Sequence, residues 1–113
     1  MTIQKIEKDK WRSFLDGLSR ILPAKEAEIE VASLDIGDQI EAEWLPLLGL
    51  TYDPKNDVVE VALDGLDHLI HHPRELYIEN GAGTMTSLEI VDDEGVSQIV
   101  KLRDPLALPP PRT

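Results

Sequence analysis

Cysteine is absent from this chain of 113 residues. Its absence excludes a disulfide framework, thiolate metal ligands and a cysteine nucleophile. Aromatic side chains make up only 4% of the residues, so the hydrophobic core is expected to consist mainly of Ile, Leu and Val. Because the β-branched members of that set favour strands, the composition predicts a β-rich domain.

Long apolar runs are also missing, since no segment approaches the roughly 18 apolar residues that a membrane-spanning helix needs. The early lysines are not followed by the continuous apolar stretch of an export signal. The formal net charge of −11 opposes binding to nucleic acid and to anionic lipid headgroups. The sequence therefore predicts a cytoplasmic protein that has neither nucleic acid nor membrane as a partner.

The charged residues that are present are divided unevenly along the chain. Residues 1–25 hold six basic and three acidic side chains, whereas residues 26–113 hold five basic and nineteen acidic ones. We expect the basic start to lie against an acidic body. The G-x-S-x-G turn of serine hydrolases and the phosphate-binding G-x-x-x-x-G-K loop are both missing, which disfavours an enzyme.

One amphipathic helix is predicted near the start of the chain. Between Asp9 and Leu22 the apolar residues recur with the spacing of a single helix face, and Pro23 is expected to end the helix. The members of this stripe are Trp11, Phe14, Leu15, Leu18 and Leu22.

The pattern after Pro23 alternates between apolar and polar residues, which is typical of half-buried strands. Residues 29–31 and 40–44 are predicted to form a hairpin, in which Ile40, Ala42 and Trp44 face the same way. The segment 45–52 contains Pro46 and Gly49, so we expect it to bend, bulge or run along an edge. Further strands are predicted at residues 58–63, 75–79, 86–91 and 96–102.

These elements predict one domain over residues 1–104, followed by a proline-rich, extended tail over residues 105–113. The predicted fold class is α+β, mainly β. We expect the N-terminal helix to pack on a curled antiparallel sheet, or on a small barrel, of about six strands.

The three histidines lie in one segment, residues 64–73. If Asp64 caps a short helix there, the three imidazoles gather on one helix face and could hold Zn²⁺ or Ni²⁺ together with a carboxylate. The candidate metal ligands are His68, Asp64, Asp67, His71 and His72. The alternative is a capped turn with solvated histidines, because consecutive helical residues diverge by about 100° and Pro73 disfavours helical geometry at His72.

Several blocks of the sequence resemble a family of short, acidic, uncharacterised bacterial proteins. These blocks are IEVASL at residues 29–34, GDQIEAEWLPLLG at 37–49, YDPKND at 52–57, LDHLI at 66–70 and RDPL at 103–106. The resemblance covers nearly the whole chain and implies a bacterial, cytoplasmic domain of unknown function. It implies no activity, cofactor or catalytic residue.

Two functions remain open from the sequence. The first is a non-enzymatic interaction or binding module, in which an exposed sheet face or edge recognises another protein or a second copy of the chain. The second is a metal- or small-molecule-binding protein that uses residues 64–72, with hydrolytic chemistry as an option. Release of the basic helix from the acidic sheet by a competing partner is a further hypothesis.

Overall fold

The computed structural model describes residues 2–21, 25–33, 37–81 and 84–104, with no side chain described for Ile21 or Thr84. The predicted tail at 105–113 and the predicted helix end at Leu22 lie outside these ranges. The described elements are β1 (Thr2–Ile6), a 3-10 turn (Lys8–Lys10), α1 (Trp11–Ile21), β2 (Glu26–Ser33), β3 (Gly37–Asp53), β4 (Val58–Leu63), β5 (Leu66–His71), β6 (Pro73–Gly81), β7 (Thr84–Asp92) and β8 (Ser97–Arg103).

All eight strands belong to one antiparallel sheet with the order β1-β6-β7-β8-β2-β3-β4-β5. The sheet is open, so of the two predicted arrangements the curled sheet is confirmed and the closed barrel is not formed. The predicted fold class, α+β and mainly β with an N-terminal helix packed on the sheet, is confirmed. The structure has two strands more than the predicted number, because β1 and β5 were not anticipated.

The helix α1 lies against β3 and buries its apolar stripe in the core. Trp11, Leu15 and Leu18 are buried, and Phe14 packs against the core from its margin. In the part of the chain that the structure describes, no helix has the length and apolar character needed to cross a membrane.

Ser19 joins the helix to the sheet through the backbone of Leu50. The Leu50 N–H donates to the Ser19 hydroxyl oxygen at 2.9 Å, and that hydroxyl lies 2.7 Å from the Leu50 carbonyl oxygen. Beyond Pro46, β3 is no longer paired with β2, so this backbone edge needs another hydrogen-bonding partner. The helix therefore covers an edge of β3 that would otherwise be open.

Strand β3 bends midway and changes its partner. Its first half pairs with β2 and its second half pairs with β4, with register shifts in both ladders. Trp44, at the bend, has a φ of 46°, which is uncommon for a residue other than glycine. The register shift between Leu47 and Gly49 confirms the bulge predicted for residues 45–52, although this segment continues β3 and does not interrupt it.

The bulges also change which face some side chains occupy. Ala42 is paired with Ile29 and is buried, whereas Ile40 is paired with Glu30 on the solvent side and is 45% exposed. Trp44 lies on that outer side, where the guanidinium of Arg103 stacks over its ring at 4.1 Å from the centroid. The prediction that these three residues of β3 face one way was therefore wrong, because each bulge reverses the alternation.

The helix predicted at residues 64–72 is wrong: residues 66–71 form strand β5, which pairs with β4. Asp64 and Gly65 make a two-residue connection between β4 and β5, with Gly65 at φ 85°. An Asp-Gly pair between two apolar-rich runs is a strong hairpin signal, and here it outweighs the helical spacing of the apolar residues.

His72 is the single residue between β5, at one end of the sheet order, and β6, near the other end. It adopts a φ of 54°; its N–H donates to the carbonyl oxygen of Asp57 at 2.9 Å, and its own carbonyl accepts the Asp93 N–H at 3.0 Å. The sheet must therefore curl far enough to bring its two ends together at this corner.

Candidate functional site

The five predicted metal ligands point in different directions. Asp64 lies in the β4–β5 turn, and Asp67 and His71 are exposed on the face of β5 opposite to His68. His72 lies at the corner. Within residues 2–21, 25–33, 37–81 and 84–104, no three His, Asp or Glu side chains lie close enough to hold a metal ion. The zinc or nickel site stays a prediction, without the helical geometry on which it was based.

His68 instead belongs to a polar chain inside the curled sheet. Its Nε2 lies 2.5 Å from Oε1 of Gln98, and Gln98 Nε2 donates to a carboxylate oxygen of Asp92 at 3.4 Å. Since a glutamine oxygen only accepts, Nε2 of His68 carries the proton. Gln98 is buried, so this contact between β5 and β8 satisfies a polar group that would be costly to leave without a partner.

A second polar cluster surrounds the carboxylate of Asp57. The Tyr52 hydroxyl donates to Oδ1 at 2.8 Å, Lys8 Nζ lies 3.1 Å from the same oxygen, and His72 Nδ1 lies 3.6 Å from Oδ2. Lys8 also donates to the carbonyl of Pro73 at 3.0 Å. The Asp57 cluster thus joins the start of the chain, the β3–β4 turn and the β5–β6 corner.

The ionisation of the Asp57 cluster follows from these contacts. Burial, followed by the hydrogen bond to Asp57 and the charge of that carboxylate, raises the pKa of Tyr52 to about 12. The Tyr52 hydroxyl, followed by Lys8, lowers the pKa of Asp57 despite its partial burial. The hydroxyl therefore stays protonated and the carboxylate ionised at neutral pH, an arrangement that favours a fixed structural contact over proton transfer.

The solvent side of strands β1, β6, β7, β8 and β2, extended by Ile40 of β3, carries charged and apolar side chains, and we call it the outer acidic face. The strand register arranges its side chains in rows that cross the strands, because directly opposed residues share a face. One row consists of Lys5, Tyr77, Glu89, Ile99 and Glu30, and it continues to Ile40 on β3. The adjacent row consists of Ile3, Glu79, Ser87, Lys101 and Glu28.

Half of the glutamates on the outer acidic face have a cationic partner. Lys5 lies 3.6 Å from Glu75, Lys101 lies 3.6 Å from Glu30, and Arg103 lies 3.0 Å from Glu26.

The other glutamates, Glu28, Glu79 and Glu89, have no cation within 4.0 Å among the described residues. Ser87 donates a hydrogen bond to Glu79 at 3.3 Å, which leaves its charge in place. The outer acidic face therefore keeps an excess of negative charge.

Apolar side chains lie between these charges. Ile3, Tyr77 and Ile99 line a shallow depression of about 140 Å³ on the outer acidic face, together with Glu79 and Glu89. Ile3 is 71% exposed. The Tyr77 hydroxyl donates a hydrogen bond to Glu75, and this bond holds the Tyr77 ring in place. The same bond is the largest cause of the lowered pKa of the Glu75 carboxyl.

A family model described as a family of unknown function (DUF5335) matches residues 2–111. The chain belongs to this family. An uncharacterized protein of Aquifex aeolicus (strain VF5) is 46% identical over 110 residues, which cover 96% of this chain and 99% of that protein. No solved structure matches the chain. The predicted membership of a family of unknown function with a bacterial relative is thus confirmed.

Sequence reasoning missed the outer acidic face of this DUF5335 chain, although part of the signal was present. Glutamates alternate with apolar residues in β2 at Glu26, Glu28 and Glu30, and this alternation places three carboxylates on one face. The neighbouring strands could not be assigned, because β8 inserts between β7 and β2 from far along the chain. The rows of side chains exist only once that strand order is known.

Proposed function

We propose that this protein is a non-enzymatic protein-interaction module whose binding surface is the outer acidic face. The observation that carries the proposal is that Ile3 and Ile40, which are exposed, and Tyr77 and Ile99, which are half-buried, lie there in register between carboxylates. Such mixed patches on a regular sheet are typical of surfaces that bind other proteins.

The shape of the sheet supports this proposal. The inner face of the curled sheet already buries the core side chains, including Leu76, Leu88 and Val100. Ile3 and Ile40 take no part in that core, since they are 71% and 45% exposed. Single exposed apolar residues such as Leu48 and Leu69 are common on protein surfaces, but Ile3 lines a depression together with Tyr77 and Ile99.

The pairing of the strands that carry the outer acidic face favours a preorganised binding site. Strands β6, β7, β8 and β2 are each paired on both sides, so the backbone that carries Tyr77, Ile99 and the glutamates is fixed by ladder hydrogen bonds. A rigid scaffold lowers the conformational entropy lost on binding. Tyr77 is additionally fixed by Glu75.

Site-specific photo-crosslinking tests the proposal in the organism that encodes the protein. A photoreactive amino acid replaces Ile3 or Ile40 on the proposed surface, and Leu69 on β5 serves as the matched control because it is 47% exposed. We expect a protein adduct from positions 3 and 40 and none from position 69. Adducts from position 69 alone, or from no position, would refute the proposed surface.

Native mass spectrometry of the purified chain identifies whether the partner is a second copy. A dimer that is lost when Ile3 is replaced by Ser would support an interaction surface used between copies. A monomer that gives adducts with another protein would support a heterologous partner. Both outcomes fit an interaction module, whereas a monomer without adducts would contradict it.

A further inference from the structure

We infer that the partner is an extended, basic protein segment that crosses the strands of the outer acidic face, with two cationic side chains about four residues apart. This inference rests on the proposed function and adds the chemistry of the partner. Charge complementarity is the first reason for it, since Glu28, Glu79 and Glu89 lack cationic partners among the described residues. An anionic partner would be repelled by the same carboxylates.

The rest of the chain argues against a second copy as the occupant. Two molecules that each carry a net charge of −11 repel one another, and this repulsion is strongest where acidic faces meet. A basic segment of another protein gains attraction at the same place. We therefore assign the surface to a heterologous basic segment.

The depression around Tyr77 suits a lysine or arginine side chain. Such a side chain can lay its aliphatic stem on one apolar lining residue, such as Tyr77, while its charged end stays near the carboxylates. Glu79 and Glu89 line the same depression, so their carboxylates can pair with that charged end. The apolar and the acidic lining residues thus match the two halves of one long cationic side chain.

The row geometry sets the spacing of the second cation. Glu79 on β6 and Glu28 on β2 lie in one row, separated by β7 and β8. Three strand spacings amount to roughly 14 Å, and an extended peptide covers about 13 Å in four residues. Cationic residues four apart along the segment therefore match these two glutamates.

The residue midway between the two cations should not be basic. Ser87 and Lys101 occupy the row positions between Glu79 and Glu28, and Lys101 carries a charge of the same sign. An apolar residue at that point of the segment can instead contact the neighbouring Ile99. The inferred recognition motif has five consecutive residues in the partner: a basic residue, any residue, an apolar residue, any residue and a second basic residue.

The experiment uses the full chain and fluorescent nonapeptides as probes. The first probe has Lys at positions 3 and 7, Leu at position 5 and Ser or Gln elsewhere. The second has Glu in place of both lysines, and the third moves the second Lys to position 6. Affinity is measured by fluorescence anisotropy at two salt concentrations, and the site is mapped by NMR chemical-shift changes.

Glutamate variants locate the interaction. The Glu28→Gln/Glu79→Gln double variant removes both charges that the spacing argument uses, while the Glu60→Gln/Asp67→Asn double variant removes two charges from β4 and β5. Since an exposed ion pair is worth up to about fivefold in affinity, we expect the first variant to weaken the first probe by roughly tenfold. We expect less than about twofold from the control variant.

Binding of the first probe alone, weakened by salt and by Glu28→Gln/Glu79→Gln, would support the inference. Equal binding of the Lys and Glu probes, shift changes centred on β4 and β5, or equal loss in both double variants would overturn it. No binding of the Lys probe, with crosslinks from positions 3 and 40 retained, would overturn the basic partner while leaving the interaction module intact. If the Lys probe does not bind and no crosslinks form from positions 3 and 40, both the basic partner and the interaction module are refuted.

Discussion

Replacement of Ser19 by Ala should destabilise the protein although it removes a single oxygen atom. The Ser19 hydroxyl is the partner of both the N–H and the C=O of Leu50, at 2.9 and 2.7 Å. Leu50 is 1% exposed, so neither backbone group can turn to bulk water without a shift of the helix. The variant therefore leaves a donor and an acceptor of the β3 edge without partners.

The size of the destabilisation follows from the two hydrogen bonds between Ser19 and Leu50. An unsatisfied buried polar group costs about 1–3 kcal/mol, and Ala gains up to about 0.5 kcal/mol over Ser in helix propensity. Ser19 itself is half-buried, so a water molecule can partly replace the hydroxyl. We expect a net loss of about 2 kcal/mol in the free energy of unfolding, or roughly 8 °C in the melting temperature.

Urea unfolding followed by tryptophan fluorescence, to which the buried Trp11 contributes, measures this loss, and hydrogen exchange reports the Leu50 amide directly. Ser13→Ala is the matched control, because Ser13 is an exposed serine of the same helix that bonds only to the neighbouring turn at Lys10. We expect the control to change stability by less than about 0.5 kcal/mol. Equal stabilities of the two variants, or unchanged protection of the Leu50 amide in Ser19→Ala, would refute this account of the edge.

Three further predictions concern the polar clusters. Asp57→Asn should lower the unfolding free energy by about 1 kcal/mol at pH 7, a figure reduced for the third of the carboxyl that solvent reaches. Because the pKa of Asp57 is lowered on folding, this difference should persist above about pH 4 and vanish as the pH falls through the folded pKa; a difference that is constant down to pH 2 would contradict it. In a Tyr77→Phe background, absorbance titration should find Tyr52 ionising near its pKa of about 12, and Asp57→Asn should bring that pKa down; ionisation near 10 in the parent would show that the buried contact is absent. Elemental analysis of the untagged protein should give the same zinc and nickel content before and after His68→Ala, since His68 bonds to Gln98; a stoichiometric metal that the variant loses would establish the predicted metal site.

The parts of the fold that could be predicted are those with a single strong periodicity. The stripe of Trp11, Leu15 and Leu18 predicts the helix because no other element buries residues with that spacing, and the structure buries all three. The alternation around Val100 likewise predicts β8. In both cases local pattern and tertiary packing agree.

The incorrect predictions come from places where two patterns compete. Residues 64–72 have helical spacing among their leucines, yet the Asp64-Gly65 pair and the alternation in β4 favour a hairpin. The metal hypothesis depended on that helix. The actual partner of His68 is Gln98, which lies 30 residues further along the chain and reaches His68 only because the sheet curls.

Trp44 illustrates a second reason why a prediction from the sequence failed. Its spacing from Ala42 predicts that both residues face the same way, but the bulge between the Ile29–Ala42 and Ala27–Leu45 pairs turns Trp44 outward against Arg103. A bulge depends on how two strands fit together, so the alternation of one strand does not reveal it. The surface proposed for binding is therefore a product of pairing and not of any single segment.

The central place of β8 has a consequence for how the chain acquires its structure. The hairpin β4–β5 and the pair β6–β7 close short loops, whereas the ladder between β2 and β8 joins Glu26 to Arg103, 77 residues apart. Bringing such distant partners together is slow, because the entropy of the long loop is lost before any contact compensates for it. During synthesis on the ribosome, β7 and β2 therefore each keep one edge unpaired until residue 103 has emerged and β8 can pair with both of them.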